Sequence, residues 1–169
     1  MSVVEGKRKP SKLEAAVMAR RLAVHTLKIC GNRNVFRPYV DTPTGEVDED
    51  GKPVYVSTYN PCYDALVSQL CTDALEISQF VWNANNIRVR SRVRDGRTEF
   101  SRIDADKRRG LQDDAIRRCN DLLADMQVAR SVFQLRKGKV RYWGKMAAET
   151  REKIRAWRDS DARRYSGRP

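Results

Sequence analysis

The run Asn60-Pro61-Cys62-Tyr63-Asp64-Ala65-Leu66-Val67-Ser68-Gln69-Leu70-Cys71-Thr72-Asp73-Ala74-Leu75-Glu76-Ile77-Ser78-Gln79-Phe80-Val81 carries the clearest periodicity in the chain. Tyr63, Leu66, Val67, Leu70, Ala74, Ile77 and Val81 recur three or four residues apart, which puts them on one face of an α-helix. Asn60 offers a side-chain acceptor to free amides, and Pro61 suits a first turn because its missing N–H would have no partner there. A helix is predicted over residues 61–86.

The same period continues on both sides. Upstream, Ser11-Lys12-Leu13-Glu14 has the capping-box form, and Gly31-Asn32 supplies a stop after Cys30, so a helix is predicted over 11–30. It carries two apolar stripes, Leu13, Val17, Val24 and Leu27, and then Met18, Leu22 and Ile29. Downstream, Leu111, Ala115, Cys119, Leu122, Met126, Ala129 and Phe133 predict a helix over 104–135, starting between Ser101 and Asp106. Gly138 is expected to break the chain before a fourth helix over 140–165. In that helix Val140, Trp143, Ala147, Ile154 and Trp157 share a face, and Gly167 and Pro169 oppose its continuation.

Four amphipathic segments in 169 residues predict one all-α domain, a four-helix bundle over 11–165 with a flexible basic head over 1–10 and a tail over 166–169. A helix in a lone bundle needs one buried face. The second stripe of the first helix, and Cys71, Leu75 and Trp82 beside the main stripe of the second, therefore predict self-association into an oligomer.

Two connections are unlike simple turns. Tyr39-Val40 and Val54-Tyr55-Val56 flank Asp48-Glu49-Asp50-Gly51, a β-hairpin signal with an acidic tip. Arg88-Val89-Arg90-Ser91-Arg92-Val93-Arg94 alternates basic residues with apolar or small ones and meets Asp95-Gly96, a second hairpin signal. In an extended strand its four arginines would share one face.

Lys and Arg number 34 against 22 Asp and Glu, a formal charge of +12. Such a surplus favours an anionic partner, because a polyanion relieves the self-repulsion of the compact state. No run approaches a membrane span, and Met1–Pro10 is polar without the apolar segment of a signal peptide, so a cytoplasmic protein is expected. Cys30, Cys62, Cys71 and Cys119 show no metal-type spacing with the only histidine, His25, and are read as four buried thiols. Cys62 and Cys71 sit about 13 Å apart along one helix, too far for a disulfide.

The candidate contacts with nucleic acid are therefore basic. Arg88, Arg90, Arg92, Arg94 and Arg97 form the first group, since a guanidinium binds phosphate at two points and stacks on bases. Arg136, Lys137, Lys139 and Arg141 form a second, with Tyr142 beside them as a stacking surface, whereas the spacing of Trp143 assigns it to the core. Arg163, Arg164 and Tyr165 form a third, although cations at a helix C-terminus are favoured by its dipole without any ligand. Asp113 with Arg117 and Asp114 with Arg118 stand four apart and are read as pairs internal to the third helix.

Catalytic and metal-ligating sets are not apparent. Asp121 and Asp125 share a face but lack a third ligand, Asp159 and Asp161 point to different faces, and Asp104 and Asp106 suit a helix start. His25 lies among Met18, Leu22 and Ile29 as a packed histidine. No phosphate-binding glycine loop or hydrolase motif occurs, so no cofactor and no catalytic residue is expected.

The segment order and several strings resemble the accessory variability determinants, four-helix-bundle proteins of diversity-generating retroelements. The strings are Ala23-Val24-His25-Thr26-Leu27-Lys28-Ile29-Cys30 with its Asn-rich turn, Asp73-Ala74-Leu75-Glu76-Ile77 with Ala84-Asn85, Tyr142-Trp143, and Arg155-Ala156-Trp157-Arg158-Asp159-Ser160-Asp161 with Arg163-Arg164-Tyr165. They cover about a third of the chain. The resemblance implies a non-catalytic homopentameric barrel that associates with a reverse transcriptase and binds its template RNA, and with it the cDNA, during error-prone synthesis. The long acidic connection from Tyr39 to Tyr59 departs from that family, where a shorter loop is expected, and suits contact with a basic polymerase in place of RNA on this face. A four-helix family encoded within ribosomal RNA intervening sequences shares the bundle. Two other classes compete: a structural or assembly protein of a phage or mobile element with a basic interaction surface, and a magnesium-dependent nuclease using Asp121 and Asp125.

Overall fold

A computed structural model describes residues 12–166; the head over 1–10, Ser11 of the capping box, and Gly167 to Pro169 of the tail lie outside them. The elements in order are α1 (Lys12–Cys30), β1 (Tyr39–Val47), β2 (Pro53–Tyr59), α2 (Cys62–Asn86), β3 (Ser91–Arg94), β4 (Arg97–Phe100), α3 (Arg102–Phe133) and α4 (Lys137–Tyr165). The chain is mostly helical: α1 packs on α2 and α4, α2 on α3, and α3 on α4, closing a four-helix ring. The two ribbons are separate antiparallel pairs, β1 with β2 and β3 with β4.

Side-chain contacts explain where α2 and α3 start. Asn60 Oδ1 accepts from the Cys62 amide at 3.0 Å, and Ser101 accepts from the Asp104 amide at 3.3 Å. The α3–α4 break falls elsewhere than expected. Gln134 takes a left-handed backbone with φ 50° and ends α3, and Gly138 lies inside the first turn of α4, which begins three residues early. A left-handed cap needs no glycine when its amide can close on the preceding turn, as the Gln134 N–H does to the Arg130 carbonyl.

Each ribbon leaves the bundle and returns to the same point. The Asn60 amide donates to the Pro38 carbonyl at 2.7 Å, and the Ser101 amide donates to the Arg90 carbonyl at 2.7 Å. Topologically both long connections are short turns, so adjacent helices run antiparallel and the two hairpins project from opposite ends. The β3–β4 turn has positive φ at Asp95 (48°) and Gly96 (73°), the primed geometry that matches strand twist.

The core contains Leu22, Leu70, Ile77, Leu122, Met126, Ile154, Trp143 and Trp157, so the principal stripes of α2, α3 and α4 pack as expected. Trp143 Nε1 donates to Thr26 Oγ1 at 2.8 Å, which satisfies two buried polar groups at once. α1 differs from expectation. Its buried face is Ala15, Ala19, Leu22, Ala23, Thr26 and Cys30, and Val17, Val24 and Leu27 are exposed. Small residues bring α1 close to its neighbours and leave the larger stripe outside. On α2, Leu75 is also exposed and Trp82 is 63% exposed. Phe36, fully buried, closes the first-hairpin end by ring-edge contacts with Phe133 at 5.1 Å and Trp143 at 6.5 Å. Of the four thiols only Cys30 and Cys119 are buried, while Cys62 at the start of α2 is exposed and Cys71 half-buried. Cys62 sits in the first turn, before the stripe of α2 reaches the core.

Candidate nucleic-acid interface

The three basic groups separate along the bundle. Arg88 to Arg97 and Arg163 to Tyr165 lie at one end, where α2 and α4 finish and α3 begins; Arg136 to Arg141 lie at the other. The 32 residues of α3 place these ends about 48 Å apart.

The arginine-rich hairpin is largely neutralised by its own chain. Arg90 donates to Asp104 through Nε at 2.8 Å and Nη2 at 3.2 Å, and its backbone amide reaches the same carboxylate at 3.2 Å. Held by the Arg90 side chain and backbone and by Ser101, the Asp104 carboxyl lies well below the usual carboxylate range. Arg92 pairs with its cross-strand partner Glu99 at 2.8 Å, and Arg94 is 4.0 Å from Asp95. The expected single face of four arginines does not form, because β3 begins only at Ser91 and Arg90 turns to the start of α3. Arg88 and Arg97 have no ion pair among the described residues.

At the opposite end no carboxylate pairs with the basic turn among the described residues, although Asp41 lines the groove beside it. Arg136 is the cap residue of α4 with no side-chain bond to the helix, no acidic residue stands in the first turn, and Lys137, Lys139 and Arg141 follow, all exposed. None of the four has an ion pair among the described residues, and neither does Arg37 from the loop after α1. Arg37, Arg136 and Lys139 line a groove of about 700 Å³ together with Asn34, Tyr39 and Asn60, and Asp41 is its single carboxylate against these three cations. A helix N-terminus carries partial positive charge and disfavours cations, so this cluster costs stability when empty and favours an anion. Tyr142 is 58% exposed, with its ring edge-on to His25 at 5.3 Å, and its outer face is open for stacking. Burial, and then Lys28, hold His25 below its ordinary pKa, and its Nε2 is buried without a partner.

Of the C-terminal group, Arg163 and Arg164 are exposed, but Tyr165 is half-buried, packed edge-to-face on Phe100 at 5.2 Å. Part of its ring is therefore engaged within the chain, by Phe100 and by the Arg164 guanidinium 5.6 Å from its centre, so it is less open for stacking than expected. Its ring anchors β4 to the end of α4.

Neither four-apart pair read within α3 forms as such: Arg117 bonds Asp114 three residues back at 2.7 Å and Arg109 stands 3.9 Å from Asp113, both within the helix, while Asp113 and Arg118 also reach other helices. Asp113 binds Arg158 of α4 at 2.7 Å. Arg118 reaches across to α2, to Glu76 at 2.6 Å and Asp73 at 3.5 Å, while meeting Asp121 at 3.4 Å. Both residues border a helix–helix seam, where a buried partner outweighs an exposed one on the same helix. Burial pushes the Asp73 carboxyl up to about 6, helped by Asp125 and opposed by Gln69 and Arg118.

The buried pair Arg108–Asp161, 2.6 Å apart, was not anticipated, with Gln112 also donating to Asp161 at 2.9 Å. A signal existed: Arg108 and Gln112 continue the apolar stripe of α3, and Asp161 follows Ile154 and Trp157 on that of α4. Polar residues at core positions of facing helices imply mutual pairing. Among the described residues no group of three or more His, Cys, Asp or Glu is placed to hold a metal ion, and no helix is long and apolar enough to cross a membrane. Comparison with protein-family models, with curated proteins and with solved structures returned no match.

Proposed function

We propose that this chain is a non-catalytic subunit that binds single-stranded nucleic acid at the α3–α4 end of the bundle and works as a homo-oligomer. The observation that carries the reading is the set of exposed cations without ion pairs, Arg37, Arg136, Lys137, Lys139 and Arg141, gathered where the α4 dipole disfavours positive charge. Successive phosphates of a strand lying in the groove would meet these cations and the first-turn amides, with Tyr142 stacking on a base. Arg88, Arg97, Arg163 and Arg164 extend the positive surface at the far end.

Self-association is supported by the uncovered Val17, Val24 and Leu27 of α1 and Leu75 and Trp82 of α2, which lie on neighbouring helices. An oligomer repeats the basic end around one body and multiplies its field. The resemblance to accessory variability determinants extends the proposal to a pentamer that joins a retroelement reverse transcriptase and its template RNA in the cytoplasm. The acidic tip Asp48, Glu49 and Asp50, exposed on the hairpin at the same end as the basic groove, suits contact with a basic polymerase surface.

The test is purification at moderate salt with and without nuclease, followed by light scattering and sequencing of bound nucleic acid. The reading expects an RNA load removed by nuclease and an oligomer mass, and co-purification with a reverse transcriptase expressed from the neighbouring gene. A monomer free of nucleic acid before nuclease treatment would contradict it.

A further inference from the structure

At the end of the bundle away from that groove, the β3–β4 hairpin leans over the start of α3 and the finish of α4 and encloses a cleft of about 980 Å³. Arg94, Arg97, Phe100, Arg102, Arg108 and Tyr165 are among the residues lining it. Three features of the cleft call for an anion that carries a planar ring. Arg94 and Arg97 are direct cross-strand partners, a like-charge pairing that is disfavoured, and while Asp95 stands 4.0 Å from Arg94, Arg97 has no carboxylate among the described residues. Arg108, whose side chain is 1% exposed, spends Nε on Asp161 and Nη1 on the Ile87 carbonyl, and its Nη2 is buried without a hydrogen-bond partner, the guanidinium lying over the Trp157 ring at 5.0 Å. A buried cationic donor left unmatched is unfavourable, and an acceptor entering the cleft removes that defect. Phe100 and Tyr165, packed edge-to-face at 5.2 Å, form an aromatic wall in the same cleft.

We propose that this cleft binds a nucleotide unit, its phosphate between Arg94 and Arg97 and toward Arg108, its base against Phe100 and Tyr165. The carboxylates that also line the cleft are each answered within the chain: Asp161 by Arg108 and Gln112, Glu99 by Arg92 at 2.8 Å, Asp106 by Arg102 at 3.8 Å and Asp95 by Arg94 at 4.0 Å. The unit has two sources, a free nucleoside monophosphate or the 5′-phosphorylated end of a strand, and both present the same phosphate and ring. The inference stands on the geometry of this cleft and does not depend on strand binding at the α3–α4 end.

Calorimetric titration of the full chain with AMP, with adenosine, and with matched RNA oligonucleotides bearing a 5′-phosphate or a 5′-hydroxyl tests it. Binding of AMP but not of adenosine supports the site with a free nucleotide as ligand. Preference for the 5′-phosphorylated oligonucleotide supports it with a strand end. In either case Arg97→Ala, an exposed residue without an ion pair, should weaken binding by about tenfold or more at an unchanged melting temperature. Failure of AMP to bind, together with equal affinity for the two oligonucleotides, overturns the proposal while leaving strand binding at the other end intact. Unaltered AMP affinity in Arg97→Ala also overturns it.

Discussion

At the hairpin end Arg90, Arg92 and Arg94 each meet a carboxylate of their own chain, and Arg108 is locked to Asp161 in the interior. At the α3–α4 end Arg136, Lys137, Lys139 and Arg141 meet none among the described residues. The two ends have similar basic sequences, yet in one most of the charge, Arg88 and Arg97 excepted, is spent on folding, and in the other it is left for a partner. What distinguishes them is the sequence downstream: β4 and the start of α3 bring Glu99 and Asp104 to the first group, whereas α4 opens with no acid in its first turn.

The largest effect expected from this difference is on stability. Asp161→Ala leaves the Arg108 guanidinium buried without its anion and should cost about 3 to 5 kcal/mol in urea unfolding. The double substitution Lys137→Ala and Lys139→Ala should leave stability unchanged or raise it, by about 0.3 to 1 kcal/mol per cation removed from a helix N-terminus. A loss of stability in the lysine variant would mean that its cations also serve the fold, and the contrast between the ends would fail.

A smaller effect is expected in acid. The Asp104 carboxyl is held below its ordinary value, so its contribution is present at neutral pH and is lost as pH falls below about 4. Arg90→Ala should lower the melting temperature at pH 7, and the difference should narrow progressively as pH falls below about 4, because the unfolded chain takes up the Asp104 proton while the folded wild type still holds the carboxyl ionised. If the two melting curves stay equally separated across that range, the Arg90–Asp104 pair does not stabilise the hairpin.

The smallest predicted effect lies between the ends, on the α2–α3 seam. Asp73 has a raised folded pKa, so the native state holds this proton more tightly than the unfolded chain, and stability should fall as pH rises from about 4 to about 6. Asp73→Asn, which keeps an oxygen for Gln69, should flatten that segment of the stability profile. An unchanged profile would place the titration elsewhere.

The helices and both hairpins were legible because their signals are local: apolar periodicity, Asn60 as a cap, and Asp95-Gly96 as a turn. The buried face of α1 was not, since Ala15, Ala19 and Ala23 give a weak hydrophobic signal beside Val17, Val24 and Leu27, and only packing decides between the two faces. Partner choice among charges was also hidden. Nothing in the spacing of Asp113 or Arg118 says that each crosses to another helix, and nothing near Arg90 announces Asp104, fourteen residues on, as its anion. The α3–α4 basic turn was visible as a string, but Arg37 joins it only through the fold, when the loop after α1 comes to lie beside the turn.

The most direct test of the central claim compares the salt dependence of affinity for 5′-hydroxyl single-stranded RNA in two triple variants. Each phosphate contact contributes a log-log slope of about −0.7, so Arg136→Ala with Lys137→Ala and Lys139→Ala should flatten the slope by about two units and leave the melting temperature unchanged. Arg90→Ala with Arg92→Ala and Arg94→Ala should flatten it by less than about one unit and lower the melting temperature, because those arginines are engaged within the chain. The reverse outcome, a wild-type slope in the α3–α4 variant and a slope flattened by about two units in the hairpin variant, would contradict the account.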